Sequence, residues 1–454
     1  MSGREFLLVC VWVGVLHAIA FHDIADWGFV LDDWEWMRVG RDVGEDPLRS
    51  FHERVSGFFR PVVAWYWGAA AAVFGGGPLL HYVAAIATGS IVVVCVYLGL
   101  RTATSNVWIA SLAALWFATH PAHVQVTAWL SARTSALLLL ASWVVLLQAR
   151  GRVGAPSGWL SKICALGAFV VALLTKEEAA ILGILVVLPL FDREGIWRRV
   201  RRDWVLYSMM GLTLAAYLVG QWYIQSTSPL VRSGEFQFSW DTFRVHSMRM
   251  GLLLAPAGQA GLTGSGMGVL GVLLAIVLLP VVFAYRFYGA QIIWIVFAAS
   301  VSLLPSSGFT TLWFASRYYY LGAALAALAL VVSSSWYLRG WRQLALLTAL
   351  GVGVLHNTVT SDVELGFWRH QACVGRALTE AADGPLGERI FDRIAAGQVV
   401  YVDTVLHIVV THAYFDVVLG GLDRALVRPY TEAVGAGNFV VKLDVEARQW
   451  VFSR

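Results

Sequence analysis

Long apolar runs separated by short basic loops dominate this sequence and restrict its fold more than any single motif does. About 20 apolar helical residues are needed to cross the roughly 30 Å hydrocarbon core of a bilayer. Runs near that length recur through most of the chain. We expect membrane-spanning helices at 5–22, 79–100, 107–119, 134–149, 159–174, 178–191, 204–224, 266–285, 290–305, 317–336 and 342–357.

The charge content supports the same conclusion. Only 14% of the 454 residues are charged and 58% are hydrophobic, whereas a soluble domain has about 25% charged residues. That excludes an ordinary soluble enzyme and a large disordered region. The sequence predicts an all-α polytopic membrane protein with eleven transmembrane helices. Two interrupted apolar stretches, 61–74 and 245–257, are predicted to be re-entrant or interfacial helices.

The basic residues indicate the orientation, because lysine and arginine collect in short cytoplasmic loops. With the N-terminus in the cytoplasm, Arg101, Arg286 and the run Arg198–Arg202 all fall inside, and the C-terminus falls outside. The start, with Arg4 before an apolar run, also resembles a signal peptide; the spans that follow favour an uncleaved first helix. The net charge of +4 therefore reflects topology, and no nucleic-acid partner is expected.

Three longer segments are predicted on the outer face, at 23–78, 225–265 and 358–454. The last is richer in acidic residues and has strand-like stretches at Val399–Val402 and Phe439–Leu443. We therefore expect two domains: a transmembrane domain at 1–357, and a small extracytoplasmic α/β domain at 358–454.

Asp32 and Asp33 are adjacent carboxylates within aromatic surroundings on the predicted outer face. Two such groups repel each other, so in a partly dry site one pKa should rise, or a cation should hold both. A carboxylate there can take a proton from an attacking hydroxyl. The alternative is that the pair caps a helix on a solvated loop.

His120 and His123 lie where a span emerges on the outer face, and Trp129 and Arg133 follow them. Histidines three residues apart could bind a divalent metal, although no third ligand is near in the sequence. The other interpretation is hydrogen bonding to a substrate or to the turn itself.

Further cations share the predicted outer face. Lys176 beside Glu177 could meet a phosphate or simply pair with its neighbour, and Arg317 before Tyr318 has the planar fork that suits phosphate. Arg317 could instead be a snorkelling interfacial residue, and Arg60 an anchor or a phosphate ligand. A base beside several cations at headgroup depth favours transfer from a phosphate-bearing lipid to a hydroxyl or amine.

Five short motifs occur in a fixed order within residues 5–335. They are Asp32-Asp33, Arg60-Pro61, His120-Pro121-Ala122-His123 running on to Trp129 and Arg133, Lys176-Glu177, and Arg317-Tyr318. In this order they resemble the GT-C superfamily of membrane glycosyltransferases, above all the transmembrane and tetratricopeptide-repeat O-mannosyltransferases and their bacterial relatives. This chain lacks the repeats, and it has Gln125, Ser135 and Ser316 where that family often has acids.

The resemblance implies a GT-C-like fold and inverting transfer of a monosaccharide, such as mannose, from a polyprenyl-phosphate donor. The acceptor would be a protein, glycan or lipid outside the cytoplasm, and the membrane a bacterial inner membrane. By position Asp32 would be the base, and Asp33 would support it or bind a metal. The remaining motif residues would bind substrate or phosphate, namely Arg60, His120, His123, Arg133, Lys176, Glu177, Arg317 and Tyr318.

Two alternatives follow from the same residues. A transporter or flippase of lipid-linked sugars would have its charges along a midplane pathway and related halves, whereas here the charges gather on one face. An inactive scaffold would keep the fold and lose the acids of the family.

Overall fold

The computed structural model describes the chain with several gaps. The described residues are 3–51, 59–150, 158–190, 195–226, 253–254, 264–284, 289–302, 316–334, 337, 340–382, 384–396, 398–403, 427–429, 440–444 and 449–452. Most of them are helical, as the all-α prediction requires.

The described residues form sixteen α-helices. They are α1 Gly3–Ala20, α2 Asp33–Glu45, α3 Pro61–Phe74, α4 Pro78–Ala103, α5 Val107–Ala118, α6 Pro121–Ala128, α7 Arg133–Arg150, α8 Trp159–Thr175, α9 Leu182–Leu185, α10 Ile196–Arg202, α11 Trp204–Gln225, α12 Gly264–Ala284, α13 Ala290–Val301, α14 Tyr320–Ser334, α15 Trp341–Ala382 and α16 Pro385–Ala395. Short 3₁₀ helices form at Ile24–Asp26, Pro47–Phe51, Leu130–Ala132, Glu177–Ile181 and Ser316–Tyr319.

Many of the described helices are apolar enough to lie within a membrane. Among the described residues, six helices are long and apolar enough to cross a bilayer. Shorter apolar helices accompany them at α3, α5, α8, α12 and α13. These helices agree with an integral, multi-pass membrane protein, as predicted; the orientation of its ends and the count of eleven spans stay predictions.

The predicted span at 178–191 needs a correction. The segment forms a 3₁₀ helix, Glu177–Ile181, and a single α-turn, Leu182–Leu185. Its hydrogen bonds then return to the i→i+3 pattern, from Leu188 N to Leu185 O. Pro189 has no N–H to continue a helix, and the segment is not a regular α-helical span.

Helix α14 is the centre of the bundle. Every residue from Tyr320 to Ser334 is buried, which is expected of a helix that is apolar on all sides and surrounded by others. It packs against α4, α5, α6, α7, α12 and α13. Because the Ser316–Tyr319 turn leads directly into α14, Arg317 and Tyr318 lie at the N-terminal end of this fully buried helix.

The stretch at 61–74, predicted to be interfacial, is the regular helix α3. Pro61 occupies its first turn, where the missing N–H costs nothing. Helix α3 packs against α2, the amphipathic helix that begins at Asp33. The other predicted interfacial stretch, 245–257, and most of the outer segment 225–265 lie outside the described residues.

Four short strands form a sheet near the C-terminus. β1 Val400–Asp403 pairs in parallel with β2 Val427–Pro429 and β3 Val440–Asp444, and β3 pairs antiparallel with β4 Gln449–Phe452. Helix α15 runs without a break through residue 357, where the transmembrane domain was predicted to end. The division at 357/358 therefore coincides with no break in secondary structure, and the separate outer domain stays a prediction.

Candidate active site

The loop between α1 and α2 makes a sharp turn before its carboxylates. Leu31 has φ 46°, in the left-handed region that a branched side chain rarely adopts. Backbone strain of this kind costs about 1–3 kcal/mol and persists only where surrounding contacts determine it. Here the Tyr82 hydroxyl of α4 donates to Gly28 O at 2.9 Å, so α4 helps to hold the loop.

Asp33 is fully buried and its carboxylate is well supplied with donors. Its Oδ2 accepts from Val30 N at 2.9 Å, and its Oδ1 accepts from Ser131 N at 2.8 Å and from the Ser131 hydroxyl. These bonds tie the turn to the 3₁₀ helix Leu130–Ala132. Three donors therefore hold this carboxylate in place, which fits a residue that shapes the turn.

Asp32 is placed differently, although it is the neighbouring residue. It occupies the N-cap position of α2, but its side chain makes no capping hydrogen bond. Its Oδ1 is closed off from solvent and has no hydrogen-bond partner within the described part of the chain. Burial raises the pKa of Asp32, while the charge of Arg317 and a bond from Ser131 oppose that shift.

Arg317 is the cation that acts on Asp32. Its backbone N–H donates to Gln125 Oε1, and its guanidinium carbon lies 4.0 Å from the centre of the Trp129 ring. Three buried donors have no partner in the described part of the chain: Arg317 Nη1, Gln125 Nε2 and Trp129 Nε1. Since these groups only donate, the surroundings of Arg317 suit an oxyanion.

Arg60 and Lys176 form a second, internally compensated cluster. Arg60 donates to Glu177 through two atoms, at 2.7 and 3.2 Å. Lys176 Nζ lies 2.7 Å from Glu178 Oε2 and donates to Ser135 Oγ at 2.9 Å. The two positive and two negative charges sum to zero, so in this structure both predicted phosphate ligands face carboxylates.

Arg133 lies deeper than predicted for a phosphate ligand. It is 2% exposed, donates to His81 O at 2.6 Å, and sits 5.0 Å from the centre of the Tyr66 ring. Its Nε and Nη1 have no partner within the described residues. The guanidinium is therefore enclosed by the protein, and it interacts electrostatically with Asp33.

The two predicted histidines point to different partners. His120 Nδ1 accepts from Ala122 N at 3.1 Å and so caps helix α6. His123 Nε2 lies 2.9 Å from His17 Nε2, and its Nδ1 lies 3.0 Å from the Tyr320 hydroxyl. Within the described residues no three His, Cys, Asp or Glu side chains assemble a metal site, so a metal bound by Asp33 or by the histidines stays a hypothesis.

An apolar groove begins beside the Arg60–Lys176 cluster. It has a volume of about 270 Å³ and lies between α8 and α11. The residues lining it are Phe59, Val170, Leu173, Leu174, Thr213, Ala216, Tyr217, Gly220, Gln221 and Ile224. Phe59 precedes Arg60 and Leu174 is two residues from Lys176, so one end of the groove meets charge.

Protonation of Asp33 gives a testable pH dependence. Burial and the adjacent Asp32 raise the pKa of Asp33 from 3.8 to about 7. Between these two pKa values the Asp33 carboxyl is protonated in the native chain and ionised in the unfolded chain. The free energy of unfolding therefore falls as the pH rises through this range. We expect the apparent unfolding temperature in detergent to fall between about pH 5 and about pH 8, and Asp33→Asn to flatten the slope. A wild-type midpoint that rises over this window would contradict the assignment.

The structure brings together Asp32, Asp33 and Arg317, and it places Tyr318 over Lys176, with the ring centre 5.5 Å from Nζ. It keeps His120 and His123 in structural networks and buries Arg133. The sequence interpretation gave no role to Ser131 or Trp368. Ser131 lies inside the motif that runs from His123 to Arg133, so it could have been noticed; Trp368 carries no such signal.

No family model matches this chain, and no curated protein does. Among solved structures, the apo oligosaccharyltransferase of Archaeoglobus fulgidus matches with a TM-score of 0.55 and 13% identity, over 95% of this chain and 65% of that chain. ArnT from Cupriavidus metallidurans, bound to undecaprenyl phosphate, matches with a TM-score of 0.50 and 14% identity, over 96% and 87% of the two chains.

This chain therefore shares its fold with the solved oligosaccharyltransferase and ArnT structures. It spans less than two thirds of the length of the oligosaccharyltransferase. The likeness to O-mannosyltransferases stays a prediction.

Proposed function

We propose that this protein is a membrane glycosyltransferase that moves a monosaccharide from a polyprenyl-phosphate donor to an acceptor on the extracytoplasmic face. One observation carries the proposal. The partly buried carboxylate of Asp32 has an oxygen without a hydrogen-bond partner in the described part of the chain, and it interacts with the charge of Arg317. Arg317 itself has a buried N–H group without a partner there. A proton acceptor next to an oxyanion site is the minimum that such a transfer requires.

The reaction we propose is a single displacement. The acceptor hydroxyl oxygen, or amine nitrogen, bonds to the anomeric carbon while the bond from that carbon to the phosphate oxygen breaks. The acceptor proton passes to Asp32, and the electron pair of the broken bond leaves with the phosphate, whose charge Arg317 stabilises. One displacement inverts the anomeric configuration.

The two aspartates have separate roles in this proposal. Asp32 is the base, since a raised pKa makes a carboxylate a stronger proton acceptor near neutral pH. Asp33 positions it, because its hydrogen bonds join the turn at Val30 to Ser131. The choice of Asp32 from the resemblance and the choice from geometry coincide.

The apolar groove between α8 and α11 is proposed to hold the isoprenoid chain. Its lining is almost wholly apolar, and the end at Phe59 and Leu174 meets the Arg60–Lys176 cluster. ArnT, which shares the fold, was solved with undecaprenyl phosphate. Arg60, Lys176, Glu177 and Tyr318 would then surround the point where tail and headgroup join, and phosphate binding by either cation would require release of its carboxylate.

Filling the groove tests this assignment. Gly220 lines it, and a Cβ there would meet nothing within 4 Å, so Gly220→Leu should occupy the groove without a backbone clash. We expect the KM for a long-chain donor to rise about 10- to 150-fold, with less effect on a short-chain donor, in line with roughly 1.5–3 kcal/mol for a buried leucine-sized contact. The control is Gly211→Leu on the same helix, where the added side chain also meets open space. Equal effects of the two substitutions would remove the groove from the proposal.

The proposed function itself is tested with purified protein in lipid nanodiscs. Polyprenyl-phosphate donors carrying radiolabelled mannose, glucose or other monosaccharides are offered with peptide, glycan and lipid acceptors. Transfer by the wild type and none by Asp32→Ala is the expected result. Equal transfer by both would remove Asp32 as the base. Movement of intact donor across the bilayer without transfer would support the transporter alternative instead.

A further inference from the structure

One face of the long helix α15 contacts both halves of the candidate site. Trp368, Ala372 and Gly375 are spaced four and then three residues apart, which puts them on the same side of a helix over two turns. These residues lie in the region predicted to begin a separate outer domain. They contact the loop that precedes Asp32 and the Trp129 ring, on which Arg317 is stacked.

The first contact is between two backbones. Gly28 N donates to Ala372 O at 3.0 Å. A Cβ on Gly375 would lie 1.8 Å from Phe29 O, and a Cβ on Gly28 would lie 2.0 Å from Arg376 N. Real side chains do not approach so closely, so only glycine at both positions allows the loop to lie against the helix.

Two arginines of α15, one before and one after this contact along the helix, bind the part of the loop that precedes Gly28. Arg376 donates to Asp26 Oδ1 at 2.7 Å and to Ala25 O at 3.0 Å. Arg369 lies 2.8 Å from Asp23 Oδ2 and donates to Ala20 O at 3.1 Å. Contacts to α15 are therefore spread along residues 20–29, the segment that leads to Asp32.

The second contact is a stack of flat groups. The Trp368 and Trp129 rings lie 4.9 Å apart with an angle of 20° between their planes. The Trp129 ring in turn carries the Arg317 guanidinium at 4.0 Å. Trp368 is fixed by a 2.9 Å bond from its Nε1 to Glu364 Oε1, so the orientation of the stack is set from α15.

We infer that this face of α15 sets the distance between the base and the oxyanion site. Trp368 acts on Arg317 through Trp129, and Gly375 acts on Asp32 through the loop; both are positioning residues. The two points are seven residues, or about 10.5 Å, apart along the helix axis. The inference rests on the proposed function for its kinetic meaning, although the contacts themselves do not depend on it.

Separate substitutions at the two points should have different kinetic effects. Gly375→Ala must move the loop, and we expect kcat to fall about 10²-fold with little change in the donor KM, as for a misplaced reacting group. Trp368→Ala removes the support of Trp129, and we expect the donor KM to rise about three- to tenfold. Trp368→Phe keeps a flat ring and should recover most of that loss. Gly366→Ala is the matched control, since a Cβ there meets open space on the same helix.

Hydrogen–deuterium exchange provides a readout that does not need activity. Gly375→Ala should speed exchange in residues 23–33, Trp368→Ala should speed it in residues 316–319, and Gly366→Ala should change neither. If exchange at both sites stays at the wild-type rate, the inference is wrong, whatever the kinetics. If exchange changes as expected while the wild type transfers no sugar, the positioning contacts stand and the proposed function fails.

Discussion

Replacing Asp32 with asparagine is expected to lower kcat by about 10²–10⁴-fold, the usual contribution of a general base. The amide keeps the size of the side chain but cannot accept the acceptor's proton. Because Asp32 makes no capping bond to α2, the substitution should leave the unfolding temperature close to that of the wild type. Initial rates with a saturating polyprenyl-phosphate donor, together with a detergent melting curve, measure both quantities.

Asp33→Asn is the matched control, because it makes the same chemical change one residue away. Asp33 accepts bonds from Val30 N and Ser131 N while wholly buried, and an amide has one acceptor oxygen fewer. We expect a stability loss of about 1–3 kcal/mol, the cost of a buried donor left unpaired, and a smaller loss of kcat measured on the folded fraction. If Asp33→Asn abolishes transfer in stably folded protein while Asp32→Asn does not, the two roles must be exchanged.

The second large effect is expected at Arg317. Arg317→Ala removes a cation whose charge opposes the raised pKa of Asp32, and it removes the guanidinium from the proposed oxyanion site. We expect kcat to fall about 10²–10³-fold, as for loss of an oxyanion-stabilising donor. The acidic limb of the pH–rate profile should also move to higher pH, because the pKa of Asp32 rises further without a nearby positive charge.

Arg317→Lys should recover part of the rate, since it restores the charge without the planar fork that lies on Trp129. Arg198→Ala, on an exposed side chain of the basic helix α10, is the control for loss of one positive charge. A pH profile unchanged in Arg317→Ala would show that Arg317 does not act on the base.

The helical architecture could be predicted from the sequence because hydrocarbon thickness imposes a run length that is visible in the residues. The segment 178–191 was the exception, since its apolar content was right but Pro189 and the ion pairs of Glu177 and Glu178 favour a short, tight helix. The length of an apolar run indicates that the segment is buried, but it does not determine whether the backbone forms a regular α-helix. The sequence did not predict that α15 continues past residue 357. The composition becomes more polar there, although the helix itself continues to Ala382.

Candidate site residues could be chosen from the sequence where charge is scarce, but their packing could not be predicted. Asp32, Asp33 and Arg317 were chosen because a charged residue in apolar surroundings is costly and suggests a function. The sequence cannot show that the Asp33 carboxylate accepts hydrogen bonds from backbone N–H groups, whereas Asp32 Oδ1 has no partner in the described part of the chain. Nor can it show that Arg60 and Lys176 face carboxylates, or that Trp368, far along the chain, lies on Trp129.

The length of α15 has a consequence for which molecules can reach the site. Its 42 residues extend about 63 Å at 1.5 Å per residue, roughly twice the thickness of the hydrocarbon core. Trp368 lies 27 residues from the start of the helix, or about 40 Å along its axis. With Trp341 at one boundary of the hydrocarbon, the proposed base and its cation would lie among the headgroups on the far side. Under the proposed function, water and polar acceptors would reach that level from the aqueous phase, and the sugar-bearing phosphate of a polyprenyl donor would lie there without leaving the bilayer.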